Sequence, residues 1–408
     1  MMVWMSVSKN VDVVILGAAR TPIGRYGGTL RDTHPAELGA RAAIAAMARA
    51  GISPSDIDEV FIGQGRQAGS GPNPGRQVAQ RAGVPFTAPA QTINQACASG
   101  LQTVALAAQA IQLGQSTICL SGGVESMSRM PYFIDSEDAR WGHKMGNFTL
   151  VDAMSRDGFM CPLSNLLMGQ TAEILAREYG ITREASDAFA LASQLKAEAA
   201  IAAGRYIPEI TAAPGKDGKG KPVELILDEH PRFGSTIEGL RKLPLVFAPV
   251  DGQAGIITAG TSSGITDGGA AVVVASGAEA ERRGLTPMAR ILGWATAGVD
   301  PRRMGIGPVP ALQKLFAKTG LTMADIDLVE LNEAFAPQVL AVLREIPIPD
   351  EKLNVNGGAI ALGHPIGCTG TRILVTLLYE MERRGARRGL ATMCVSGGLG
   401  MAMAVERL

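Results

Sequence analysis

Short apolar runs alternate along the chain with alanine-rich stretches. The runs VVILGAA (13–19), VFIG (60–63) and STICLSG (116–122) read as strands, and residues 36–50 and 100–113 read as helices. The pattern returns later. There ARILGWA (289–295), LVELN (328–332) and LATMCVSG (390–397) read as strands, with helices near 309–319 and 369–384. Such alternation predicts an α/β fold with a largely parallel sheet covered by helices on both faces.

The two parts also resemble each other residue by residue. GISPSDIDEV (51–60) matches GLTMADIDLV (320–329) in its glycine, the Asp-Ile-Asp triplet and the final valine. TICLSGGVESM (117–127) matches TMCVSGGLGMA (392–402) in Thr, Cys and Ser-Gly-Gly. The order is the same in both parts, which predicts a duplication: two similar βαβαβ-type halves packed in layers about a pseudo-twofold axis. Residues 128–264 break the pattern. A polar, Met-rich stretch (127–160), helical patterns at 169–179 and 182–203, and a Gly/Lys loop, PGKDGKGKP (214–222), read as an inserted loop domain. The chain then returns through ITDGGAAVVVAS (265–276). The expected organisation is residues 1–127 with 265–286 as an N-terminal half, 128–264 as the insertion, and 287–408 as a C-terminal half. Insertions above the carboxyl ends of strands are where α/β proteins usually bind ligands.

Charge and composition narrow the function. With 38 basic and 38 acidic residues among 408, the chain lacks the basic excess of a nucleic-acid or anionic-membrane binder. At 46% hydrophobic residues it can bury a large core and is not disordered. Its five cysteines form no Cys-x-x-Cys pair, which fits a reducing compartment. The opening segment MMVWMSVSKN lacks a signal-peptide pattern, and no uncharged apolar run reaches membrane-spanning length, so the expectation is a soluble, cytoplasmic protein.

Few residues are equipped for chemistry. Of four histidines, only His364 sits in a glycine frame, NVNGGAIALGHPIGCTGTR (354–372), ahead of a helix. Cys97 lies in TINQACASGLQTVALAAQAI (92–111), between a short strand and an alanine-rich helix whose amino terminus would stabilise a thiolate. Cys394 and its repeat partner Cys119 both precede Ser-Gly-Gly, so spacing leaves open which of them is chemical. Residues 260–264 match G-x-S-x-G around Ser262, but a strand rather than a helix follows, against the needs of a serine hydrolase. No phosphate-binding glycine loop and no metal-ligand spacing occurs.

At these residues the sequence resembles the thiolase family. The resemblance spans nearly the whole chain and includes AARTPIGRYGG (18–28), NQACASGLQ (94–102), SGGVESMS (121–128), MGQTAE (168–173), DEHPRFG (228–234), TAGTSSGITDGGAA (258–271), NEAFA (332–336), GGAIALGHPIGCTG (357–370) and CVSGGLG (394–400). It implies an acetyl-CoA acetyltransferase, with a broader 3-ketoacyl-CoA thiolase or a ketoacyl synthase-like condensing enzyme as alternatives. A non-enzymatic acyl-CoA-binding scaffold is a third reading. In the implied mechanism Cys97 carries the acyl group, His364 withdraws its proton, and Cys394 is the base of the second half-reaction. Asn332 holds a water beside His364 for the enolate oxygen, and the backbone N–H groups of Cys97 and Ser396 face the acyl-enzyme oxygen. Arg232, Phe247 and Ser263 match CoA-contacting positions, and Leu167, Met168, Met304 and Phe335 match the acyl pocket. Ser396 stands where relatives usually have Gly, and Leu167 where strictly biosynthetic ones often have His; an apolar Leu167 predicts a pocket open to longer chains. The resemblance further implies coenzyme A as substrate, no resident cofactor or metal, and a homodimer or homotetramer.

Overall fold

The computed structural model describes residues 11–408; the segment MMVWMSVSKN lies outside the described residues. The first half contains β1 (Val13–Arg20), α1 (Pro35–Ala50), β2 (Glu59–Gly63), α2 (Pro74–Arg81), β3 (Ala90–Ile93), α3 (Ser99–Gln112) and β4 (Ile118–Ser126). The insertion contributes α4 (Met168–Glu178) and α5 (Arg183–Ala202), and β5 (Thr266–Ser276) returns to the sheet. The second half runs β6 (Ala289–Gly298), α6 (Pro308–Thr319), β7 (Leu328–Leu331), α7 (Ala336–Glu345), α8 (Ala359–Leu362), α9 (Ile366–Arg384), β8 (Arg388–Val395) and β9 (Leu399–Glu406).

The strands form one ten-stranded sheet in the order β7-β8-β9-β6-β1-β5-β4-β2-β3, with a two-residue strand, Gly24–Arg25, beside β5. Apart from the edge strand β3, the order is symmetric about β6 and β1, which meet through Val14↔Arg290 and Ile15↔Ala289. The expectation of a largely parallel sheet is corrected. Only β3, β2 and β4 run parallel at one end and β7 and β8 at the other, while every pair between them is antiparallel. A tight turn joins β8 directly to β9, and a short reversal can only make an antiparallel pair.

The first internal repeat is a helix-end device used twice. Gly51 and Gly320 take left-handed backbone, φ 66° and 72°, and end α1 and α6. Ser53 with Asp56, and Thr322 with Asp325, then cap matching single turns that lead into β2 and β7.

Helices α3 and α9 lie side by side at the centre; α1 covers the outer face of the first half and α6 that of the second. Their contact is backbone-close. A Cβ on Gly100 would lie 2.6 Å from Thr371 Oγ1, and one on Gly370 would lie 2.4 Å from Leu101 N. Only glycine permits this approach. It brings the amino ends of α3 and α9 together, and the candidate residues sit at those ends.

Candidate active site

The turn that presents Cys97 is built by its neighbours. Ala96 takes left-handed backbone (φ 45°), which costs a non-glycine residue about 1–2 kcal/mol. Three bonds hold it there: Ala96 N–H donates to Asn94 Oδ1 (2.9 Å), Gln95 N–H to Ser99 Oγ (2.9 Å), and the Ser99 hydroxyl to Ala96 O (2.7 Å). Cys97 follows in a short 3-10 turn ahead of α3 and is 9% exposed. Its surroundings oppose the thiolate that the helix amino terminus would stabilise. Burial pushes the Cys97 thiol above its ordinary range, and the Arg66 charge and the backbone N–H groups of Ser396 and Cys97 offset only part of that. A nucleophile of this kind needs a base.

His364 is buried and neutral. Burial, and then the charges of Arg372 and Arg66, lower its imidazole to about 3. Its N–H donates to Gly264 O (3.0 Å). Its Nδ1 lies 2.6 Å from Thr369 Oγ1, whose hydroxyl donates to Pro365 O (3.0 Å). Thr369 therefore accepts from Nδ1–H, which leaves the lone pair on Nε2. Asn332 Nδ2 stands 3.5 Å from that nitrogen, and Asn332 Oδ1 has no partner among the described residues.

Cys394 ends β8 and is 1% exposed. Burial, and then the neighbouring Cys97, push its thiol far above the ordinary range. It packs with Met304 and Ala334, and Met168 and Phe335 lie against them. Beyond it Gly397 and Gly398 take left-handed backbone (φ 88° and 85°), and the turn brings the Ser396 N–H near enough to Cys97 to favour its charged form. Serine in place of glycine keeps that donor.

A cleft of about 800 Å³ lies beside this cluster: Cys97, His364, Cys394 and Asn332 do not line it, but Met168 and Phe335, packed toward Cys394, and Gly264, bonded to the His364 backbone, do. Leu167, Met168, Arg232, Phe247, Ser263 and Phe335 line it, while Met304 lies buried behind them. Phe247 stacks edge-on against Phe335 (6.1 Å) and covers Gly169, where any Cβ would meet its ring. Gly264 on the cleft wall carries the carbonyl that holds the His364 N–H, and Ser263 N–H donates to Ala334 O (3.0 Å). Ser262 also faces the cleft, but its hydroxyl donates to Thr258 O (2.8 Å), and no histidine bonds it among the described residues. The hydrolase reading lacks its base.

Several residues escaped the reading of the sequence. Arg66, 7% exposed, donates to the carbonyls of Gly65 and Gly158 and has no carboxylate partner among the described residues. Its charge acts on both Cys97 and His364. Glu125, pushed up to about 7 by burial, accepts from Gly65 N, Arg66 N and Gly367 N and so joins the two halves beneath the site. Glu333 accepts from Ser193 Oγ (2.7 Å), Asn354 Nδ2 (2.8 Å) and Ile360 N (3.1 Å), fixing the loop that leads to His364. Glu125 and Glu333 stood inside motifs quoted above. Arg66 carried no local signal, because a charged residue in a loop ordinarily faces solvent. No group of three or more His, Cys, Asp or Glu is arranged for a metal among the described residues.

Comparison with known proteins agrees with this geometry. The family description "Thiolase, N-terminal domain" matches residues 13–278, and "Thiolase, C-terminal domain" matches residues 285–407. The acetyl-CoA acetyltransferase of Cupriavidus necator is 50% identical over 396 residues, covering 97% of this chain and 99% of its own. The acetyl-CoA acetyltransferase of Escherichia coli is 49% identical over 397 residues, covering 97% and 99%. Among solved structures, the acetyl-CoA acetyltransferase of Bacillus anthracis superposes with a TM-score of 0.93 at 42% identity, covering 98% of this chain and 99% of its own. Human mitochondrial 3-ketoacyl-CoA thiolase in complex with CoA superposes with a TM-score of 0.91 at 40% identity, covering 98% of both chains.

Proposed function

The chain belongs to the thiolase family, and from that premise we propose that it is an acetyl-CoA acetyltransferase working through an acyl-Cys97 thioester. It joins two acetyl-CoA molecules into acetoacetyl-CoA with release of CoA, and runs the reverse thiolysis. The observation that carries the reading is His364, whose Nδ1 is held 2.6 Å from Thr369 Oγ1 so that Nε2 is left 3.5 Å from Asn332 Nδ2, at the close α3–α9 contact that brings Cys97 to the same end. The backbone N–H groups of Cys97 and Ser396, which favour charge on the Cys97 sulfur, would serve the acyl-enzyme oxygen, a role worth about 3–4 kcal/mol per donor.

The first half-reaction starts from a neutral thiol and a neutral imidazole. The His364 Nε2 lone pair takes the Cys97 proton as sulfur attacks the acetyl carbon, and the same proton leaves on the departing CoA. The second half-reaction needs Cys394 ionised, and burial, then any charge on Cys97, oppose that. With Cys97 held as a neutral thioester only burial remains to be overcome when the Cys394 proton passes to solvent through the cleft. As thiolate, Cys394 takes an α-proton from the second acetyl-CoA. The carbanion attacks the thioester, and Cys97 leaves as thiolate and regains a proton from Cys394. Asn332 Nδ2 is the donor toward the enolate oxygen, and His364 joins it only while its Nε2 carries a proton.

A second reading, a 3-ketoacyl-CoA thiolase of broader chain length, is favoured by one observation: Leu167 lines the cleft beside the flexible Met168. We further propose a cytoplasmic homodimer or homotetramer with coenzyme A as its only small-molecule partner besides acyl-CoA. The exposed Trp141 and Met145 on the 128–150 arm support self-association, and no helix among the described residues is long and apolar enough to cross a membrane. The test is the loss of enolate absorbance when acetoacetyl-CoA and CoA are mixed with the protein, repeated with C6 and C8 ketoacyl-CoAs. Turnover of C4 supports the reading, and no turnover of any chain length refutes it. A drop beyond about a thousandfold from C4 to C6, about 2 kcal/mol for each of the two methylenes, rejects the broad pocket, because that is the full cost of misfit rather than of accommodation.

A further inference from the structure

His230 lies apart from the catalytic cluster in sequence, between the buried Asp228 and Arg232, and with Arg232 it lines the cleft. Asp228 is anchored by the Arg20 guanidinium (2.7 and 2.9 Å) and by Ile23 N–H (2.8 Å), so the segment enters the cleft wall from a fixed point. The His230 Nδ1 lies 2.7 Å from the carbonyl of Ala361. A carbonyl only accepts, so Nδ1 carries the proton. The other edge of the ring fills the space over Gly264, where a Cβ would stand 1.9 Å from Nε2.

Both partners of the ring hold His364. Ala361 belongs to α8, and the chain passes from there through Gly363 (φ 98°) into His364. Gly264 supplies the carbonyl that accepts the His364 N–H. A Cβ on Gly363 would strike Thr266, so the backbone between these anchors has no slack on that side. One imidazole therefore spans the two segments, one from the inserted domain's return and one from the second half, that set where the His364 ring stands.

We propose that His230 is a positioning residue for His364, its Nδ1–H bond to Ala361 and its packing on Gly264 holding the base in register with Cys97. The proposal rests on the reading of His364 as the base for acyl-enzyme formation. Loss of the strut displaces His364 and slows proton removal from Cys97 while leaving the CoA-contacting side chains in place, so the effect falls on kcat rather than KM. A misplacement well under an ångström is enough for a loss of tens of fold.

The test compares His230→Asn, whose amide donor falls near the position of Nδ1, with His230→Gln, whose amide falls near Nε2. The readouts are kcat and KM for acetoacetyl-CoA thiolysis and the rate of acetyl-enzyme formation from labelled acetyl-CoA. Expected is a fall of about 10- to 50-fold in kcat and in acetylation rate for His230→Gln, with KM within about threefold, and recovery to within about threefold of wild type for His230→Asn. Equal losses in the two variants would overturn the proposal, since the Ala361 bond would not be the agent. So would a rise in KM at unchanged kcat, which would make His230 a substrate contact, and so would wild-type rates in both. Wild-type turnover, measured alongside, keeps the parent reading separate: if the wild-type protein itself fails to turn over, that reading falls, and if only the variants disagree, this proposal falls alone.

Discussion

The two halves carry the same Cys-x-Ser-Gly-Gly piece and use it in opposite ways. In the first half the strand does not stop. β4 runs from Ile118 through Ser126 against β5, and Gly122 and Gly123 lie inside it with neighbouring backbone pressed on them. Cys119 is fully buried there, its thiol pushed up to about 12 by burial first. In the second half β8 stops at Val395, the glycines reverse the chain, and Cys394 and the Ser396 N–H are left at the Cys97 sulfur. The inner helices divide similarly: the segment entering α3 carries Cys97, the proposed nucleophile, and the segment entering α9 carries His364, its proposed base. A duplicated scaffold yields one site because the copies end their strands at different points, while the sequence at those points stays almost the same.

Swapping the two cysteines breaks the comparison most sharply. Cys394→Ala is expected to lower thiolysis about 10²- to 10⁴-fold, the scale of a lost general base, while Cys119→Ala keeps kcat within about twofold and loses only core packing. Asn332→Ala should weaken condensation more than acyl-enzyme formation, since it faces the enolate rather than the nucleophile. Steady-state kinetics alongside single-turnover acetylation check both, and equal activity losses in Cys394→Ala and Cys119→Ala would erase the distinction.

The glycines sharpen the contrast in stability. On Gly123 a Cβ would stand 2.2 Å from Gly367 O, a backbone atom next to the Glu125 bond that ties the halves together. Gly123→Ala should cost about 1–3 kcal/mol or more and disturb activity as well. On Gly397 a Cβ meets open space, and the cost of Gly397→Ala is the left-handed backbone alone, about 1–2 kcal/mol. Urea unfolding midpoints with activity at matched occupancy separate the two.

A smaller effect distinguishes the halves by pH. His364 is held at about 3 when folded, against an ordinary imidazole near 6.5 when unfolded. Between those values only the unfolded chain takes the proton, so this contribution is intact above about pH 6.5 and is lost as pH falls toward 3. Cys119 has the opposite sense. Its raised thiol is fully stabilising below the ordinary thiol range and loses that contribution as pH rises toward 12. His364→Gln should therefore flatten the acid arm of stability against pH, and Cys119→Ala the alkaline arm. Denaturation midpoints at pH 5, 8 and 10 read the difference, and identical profiles in both variants would contradict it.

Much of this was legible in the residues. The helix read at 36–50 spans Pro35–Ala50, and the one at 309–319 spans Pro308–Thr319, because alanine-rich and amphipathic patterns are local. The duplication was visible because helix-end glycines and capping pairs must recur wherever the same turn recurs. Strand direction was not visible, since it depends on which distant strand a return such as β5 lies beside. The burial that opposes a Cys97 thiolate was not visible for a related reason: a helix amino terminus is a local feature, whereas that burial comes from α9 and β8. Arg66 and His230 were silent because the partners that give them meaning are remote in sequence.

The central claim is that Cys97 carries the acyl group and Cys394 acts only afterwards. Alkylating reagents read thiol acidity and would be drawn to Cys161 as well: burial opposes its ionisation, but Ser164 and the N–H groups of Ser164, Leu163 and Gly397 hold it below the ordinary range. Acetyl-CoA itself is the sharper probe. Labelled acetyl-CoA mixed with Cys394→Ala should place about one acetyl group per chain on the peptide containing Cys97, stable to further acetyl-CoA and yielding no acetoacetyl-CoA. Label on any other cysteine, or an unlabelled Cys97 in that variant, would contradict the account.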